Sequence, residues 1–176
     1  MMVRLVLVLL IGATGHATEA QPVAEEYQVK GAFLLNFAKF VEFPPKAFTA
    51  PGDPIAICVL GQNPFGPGMD QAAAKIVVAN RSVSVRPVAD AQHARRCQIV
   101  FVSVSERKRA RPLLKALQGQ SVLTVGESED FLENGGVVNF KLDGAKVHIE
   151  INTEAADRAG LHISAKLLSL AHAGKK

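Results

Sequence analysis

Apolar residues at Val29, Phe33, Phe37 and Phe40 recur at spacings of four, four and three, the period of an amphipathic helix over residues 25–41. Pro44 and Pro45 end it. The run Ile55–Leu60 is apolar throughout and closes on Gly61, the pattern of a strand covered on both faces. A glycine- and proline-rich loop over 61–70 leads to a short helix ending near Lys75, and residues 82–88 alternate as a second strand. Residues 98–103 predict a third, buried strand, then a helix over 111–117 capped by Gly119, and 122–125 a fourth strand. Two alternating segments, 137–142 and 146–151, flank Asp143-Gly144 and read as a β-hairpin. On its second strand Val147, Ile149 and Ile151 share one face, and Lys146, His148 and Glu150 the other. A last helix is expected over 154–172, with Asn152 or Thr153 as N-cap and Ile163, Leu167 and Leu170 as its buried stripe. This order predicts an α/β three-layer sandwich with a mainly parallel central sheet and an antiparallel hairpin at one edge.

The chain has 176 residues, 48% hydrophobic and 20% charged, enough for one domain with a full core and too apolar for intrinsic disorder. Trp is absent and Tyr27 is the single tyrosine, which argues against a sugar cleft or base-stacking platform built on those rings. Residues 1–20 read as a secretory signal: Arg4 precedes an apolar run over 5–13, with cleavage after Ala17 or Ala20. The mature domain would then cover 21–176, and removing Arg4 and Glu19 leaves the net charge at +4. No later stretch is long and apolar enough to span a bilayer, so the expected location is the periplasm.

Export bears on the cysteines. Cys58 and Cys97 are an even pair in an oxidising compartment, outside any CxxC motif, so a disulfide is expected, with buried reduced thiols as the alternative. Closing a loop of about 40 residues would contribute roughly 4 kcal/mol in the chain-entropy model.

No GxSxG, HExxH, Walker A or GxGxxG motif is present, and no cofactor is implied. The loop carrying Gly61, Gly66 and Gly68 lacks the Lys-Ser/Thr of a P-loop, so a plain strand–helix connection is expected there over an anion cradle. His93, His148, His162 and His172 lack metal-ligand spacing. One cluster stands out: Arg107, Lys108, Arg109 and Arg111 sit where a helix should begin, the unfavourable end for positive charge. It is either a solvated face or a patch that steers an anionic ligand or an acidic partner. A net charge of +4 on an exported chain argues against nucleic acid.

The stretch Val29-Lys-Gly-Ala-Phe-Leu-Leu-Asn-Phe-Ala-Lys-Phe-Val-Glu-Phe-Pro44 resembles the opening helix of YfiR-like proteins, with Phe43 where they usually carry Trp. Cys58-Val-Leu-Gly-Gln-Asn-Pro-Phe-Gly66, Cys97-Gln-Ile-Val-Phe-Val-Ser-Val-Ser-Glu106 and Leu123-Thr-Val125 resemble their strands in the same order. So do Gly135-Gly-Val-Val-Asn-Phe140, Glu150-Ile-Asn152 and Ala159-Gly-Leu-His-Ile-Ser-Ala-Lys-Leu-Leu168. The resemblance covers nearly the whole mature chain. It implies regulation in place of catalysis: a periplasmic repressor that binds the periplasmic sensor domain of an inner-membrane diguanylate cyclase, lowering cyclic-di-GMP and biofilm formation. It also implies a Cys58–Cys97 disulfide and a homodimer. The second cysteine pair of the family's namesake is absent. The alternative is a periplasmic sensor of a small anionic or aromatic metabolite. Expected partner- or ligand-binding residues are Phe43 with Pro44, the basic residues Arg107, Lys108, Arg109 and Arg111, and His162 with Lys166 on the last helix.

Overall fold

A computed structural model of the chain describes residues 20–172, and side chains for 23–171. The leader predicted over 1–20 lies outside the described residues save for Ala20, whose backbone begins the first helix. Helix α1 (Ala20–Phe40) passes into a two-residue strand, β1 (Val41–Glu42). Strand β2 (Ile55–Leu60), helix α2 (Pro67–Ala73) and strands β3 (Val77–Val78) and β4 (Arg81–Val88) follow. Then come α3 (Ala91–Ala94), β5 (Ile99–Val102), α4 (Arg107–Leu117) and β6 (Leu123–Gly126). The chain closes with β7 (Val138–Asp143), β8 (Lys146–Ile151), α5 (Thr153–Arg158), β9 (His162–Ile163) and α6 (Ala165–His172).

Seven strands form one sheet in the order β3-β4-β2-β5-β6-β7-β8. The five inner strands run parallel, and β3 and β8 are antiparallel edges. The sheet separates two apolar layers, as the sequence pattern predicts. On one face Leu34 and Phe37 of α1, Met69 of α2 and Leu167 of α6 pack against Ile57, Phe101, Val125 and Phe140. On the other, Ala110, Leu113, Leu114 and Leu117 of α4 cover Cys58, Val100 and Val102. Spacings of three, one and three place those four α4 residues on one stripe. Phe37 and Phe101 lie 6.1 and 6.3 Å from Phe140, ring centre to ring centre, and all three are buried. Each such ring contributes roughly 2–3 kcal/mol by leaving water.

Three expectations change. The inward face of α1 is Lys30, Leu34, Phe37 and Ala38, while Val29 is 45% exposed. The basic run belongs to α4 itself, which begins at Arg107 and carries Pro112 inside it, where sequence reading starts a helix. The last predicted helix is two. Asn152 caps α5 by accepting from the Ala155 N–H at 3.0 Å, but Gly160 at φ +68° ends it, and β9 intervenes before α6. Leu170 is 47% exposed and outside the expected stripe.

β3 was not expected. It pairs with β4 through Val78↔Arg81, leaving Ala79-Asn80 as a two-residue turn with φ +48° and +62°. Two positive φ values are the type I′ geometry that suits the twist of a hairpin. Gly126 and Gly136 have a different reason: a Cβ on either would fall 2.2 Å from the Phe131 ring, which is buried against them.

Candidate functional site

The β1–β9 pairing brings distant residues together. Pro44 and Pro45 bar helical continuation and push Phe43 towards extended backbone, so the chain leaves α1 as a strand. It meets the segment after Gly160 in the register Val41↔Ile163 and Glu42↔His162, and the Ser164 N–H donates to the Phe40 carbonyl at 3.0 Å. Val41 and Ile163 point into the core; Glu42 and His162 are exposed beside half-buried Phe43 and Pro44. The Lys166 ammonium lies 4.9 Å from the centre of the Phe40 ring, and Leu170 follows one turn later on α6. The β1–β9 register therefore brings His162 beside Glu42, next to Phe43 and Pro44, and α6 sets Lys166 on Phe40, so residues separate in sequence share one candidate patch. His162 stands on β9, not on the last helix.

Arg107, Lys108, Arg109 and Arg111 are exposed on α4, in the opposite layer, and do not join that patch. Carboxylates of the same chain face them: Arg109 pairs with Glu106 at 3.0 Å, and Arg107 and Lys108 share a cleft of about 610 Å³ with Glu127, Glu129 and Asp130. Those acids offset the unfavourable placement of positive charge at a helix start. The Gly61 loop is held by contacts within the protein, one to the segment after β5 and one of its own. The Gln62 N–H donates to Ser105 Oγ at 3.0 Å, and the Phe65 N–H to Asn63 Oδ1 at 3.0 Å, as in a plain connection. Cys58 and Cys97 are disulfide-bonded and buried, with Cα atoms 6.1 Å apart, and the Arg86 guanidinium rests 3.4 Å from Cys58 Sγ.

Sequence reading missed a buried charge cluster. Lys30, 3% exposed, donates from Nζ to Glu127 Oε2 at 2.6 Å and to Glu26 Oε1 one helical turn away. Glu127, just past the end of β6, also accepts from the Val104 N–H at 2.8 Å and the Tyr27 hydroxyl at 3.3 Å. Lys30 Nζ lies 4.7 Å from the centre of the Tyr27 ring, a cation–π distance. Burial, then the charge and hydrogen bond of Glu127, then Glu26, push the Tyr27 hydroxyl above its ordinary range. The available signal was a lysine between apolar residues with a glutamate four positions earlier.

The sequence profile of the YfiR/HmsC-like family matches residues 27–172, which include most of α1, both sheets and α6. The chain belongs to that family. YfiR/HmsC-like proteins are periplasmic regulators that act with a partner protein. Among the described residues no helix is long and apolar enough to cross a membrane. Solved structures that share the fold include two from bacteria. A conserved domain protein from Vibrio cholerae is 12% identical with a TM-score of 0.50, over 66% of this chain and 53% of that one. An ABC domain from Streptococcus pneumonia, solved in complex with L-Trp, is 11% identical with a TM-score of 0.50, over 85% of this chain and 59% of that one. The YfiR/HmsC-like chain thus spans only a little over half of either structure.

Proposed function

We propose that this YfiR/HmsC-like protein is exported to the periplasm and represses an inner-membrane diguanylate cyclase by binding its periplasmic domain, lowering cyclic-di-GMP and biofilm formation. The observation that carries this reading is the patch built by the β1–β9 pairing. Half-buried Phe43 and Pro44 and exposed Leu170 offer apolar contact, and Glu42, His162 and Lys166 ring them with charge. Interfaces combine these parts: apolar contact holds the complex, and rim charge sets orientation and on-rate. The basic residues of α4 lie elsewhere and would act on encounter, by long-range attraction. We assign α1 a second contact, between copies of the chain, because Val23 and Val29 are 51% and 45% exposed on a helix otherwise rich in buried apolar residues. Light scattering at micromolar concentration checks this: a dimer is expected, and a monomer would remove it.

The repression is tested in cells. H162E/K166E changes two exposed side chains, so the domain should keep its melting curve while cyclic-di-GMP rises to the level of a strain lacking the protein. Wild-type repression by the folded variant would take the patch out of the mechanism.

A further inference from the structure

A cleft of about 400 Å³ lies between α4 and α5, with Val122 and Val137 at its floor just before β6 and β7 begin. It sits at the opposite end of β6 from Glu127 and the buried charge cluster. Its volume suits a small molecule. Helical spacing puts cations on both walls. On α4, Arg111 and Lys115 stand one turn apart, flanking Leu114. On α5, Arg158 shares the lining face with Ala155 and Ala159.

Two observations define what the cleft would take. The first is charge without compensation. Arg111 and Lys115 have no ion pair or hydrogen bond among the described residues, and like charges one turn apart repel. Lys115 gains from the carbonyl end of α4, but Arg111, in the middle of the helix, does not. Arg158 is 3.7 Å from Glu154, beyond hydrogen-bond reach, and that carboxylate is 86% exposed, so the pair is weak and the guanidinium can turn to a ligand. The second observation is the sign. Among the described residues Glu133 is the one carboxylate lining the cleft, against three cations, and counting Glu154 still leaves the cations in excess. The cleft at the start of α4 has the reverse balance, with Glu127, Glu129 and Asp130 against Arg107 and Lys108.

We propose that the α4–α5 cleft binds a small dianionic molecule, a dicarboxylate or a phosphate ester, with an oxyanion held between Arg111, Lys115 and Arg158. A guanidinium fork meets two oxygens of such a group at once, and the cleft offers one fork from each wall. The site is separate from the β1–β9 patch, and its occupancy does not depend on the repressor reading.

Two pairs of probes matched in shape test it on the full chain: succinate against succinamide, and glycerol 3-phosphate against glycerol. The backbone N–H signals of Gly119 and Gly135, which line the cleft, report binding by NMR. The dianion of at least one pair is expected to shift them saturably, at least about tenfold more tightly than its neutral twin, as one charge-assisted contact would give. Which dianion does so separates a carboxylate ligand from a phosphate. R111Q and R158Q should each weaken it about tenfold or more. K75Q, an equal loss of charge at an exposed residue outside the cleft, should change it less than about twofold. Arg111 and Arg158 are exposed on different helices, so each variant reports even if the other misfolds. No saturable shift with either dianion, equal affinity within both pairs, unchanged affinity in folded R111Q or R158Q, or a loss in K75Q as large as theirs would each overturn the proposal.

Discussion

E127Q isolates the buried charge cluster. Gln keeps the shape of the side chain and an oxygen for the Val104 N–H, so what disappears is the negative charge beside Lys30. The Lys30 side chain is 4% exposed and would rely on Glu26 alone, with an amide N–H₂ in place of its second carboxylate oxygen. Leaving a buried ion wholly unpaired costs about 3–5 kcal/mol; Glu26 retains part of the pairing, so about 2–3 kcal/mol is expected. For a domain of this size that lowers Tm by about 4–10 °C. A second readout comes from Tyr27. Its hydroxyl is raised above the ordinary value of about 10, so folded and unfolded chains are both protonated below that pH. Above it the unfolded chain ionises first, and stability falls as pH rises towards the folded value. In E127Q the tyrosinate absorbance should appear at lower pH than in the wild type. It should still exceed the ordinary value, because burial is the largest cause of the shift. Y27F should flatten the alkaline loss. A cost below about 0.5 kcal/mol with an unmoved Tyr27 titration would refute the reasoning, since the Lys30–Glu127 contact would then carry no weight.

Other changes probe independent parts of the structure. A79G relieves a left-handed Ala at φ +48°; set against the greater backbone entropy of Gly, the gain by denaturant unfolding should be about 0.5–1 kcal/mol. Cleaving the Cys58–Cys97 bond, which spans 39 positions, by reduction should cost up to about 4 kcal/mol, seen as a lower Tm, and thiol titration of the unreduced denatured chain should find no free Cys. R107E/R109E should leave the melting curve nearly unchanged, because both side chains are exposed, while slowing association with the partner and leaving dissociation alone.

Local pattern gave the strands and the layers because β2 and β5 are continuous apolar runs and α4 carries a clean stripe. Long-range contacts decided what the pattern missed. On α1 the phenylalanine spacing pointed to Val29, yet Lys30 faces inward because Glu127, 97 positions away, compensates its charge. The final helix looked continuous because a two-residue strand such as β9 leaves no alternation to detect, and Gly160 was the only mark of the break. Phe43 and His162 were legible as candidates, but their union was not: it rests on the β1–β9 register.

The central claim is that the β1–β9 patch docks the periplasmic domain of a membrane diguanylate cyclase. Its most direct test is the affinity of the purified chain for that domain, measured for the wild type and H162E/K166E side by side. The account predicts saturable binding by the wild type and at least about a tenfold loss, about 1.4 kcal/mol, in the folded variant. Equal affinity for the two proteins, or no binding by the wild type, would contradict it.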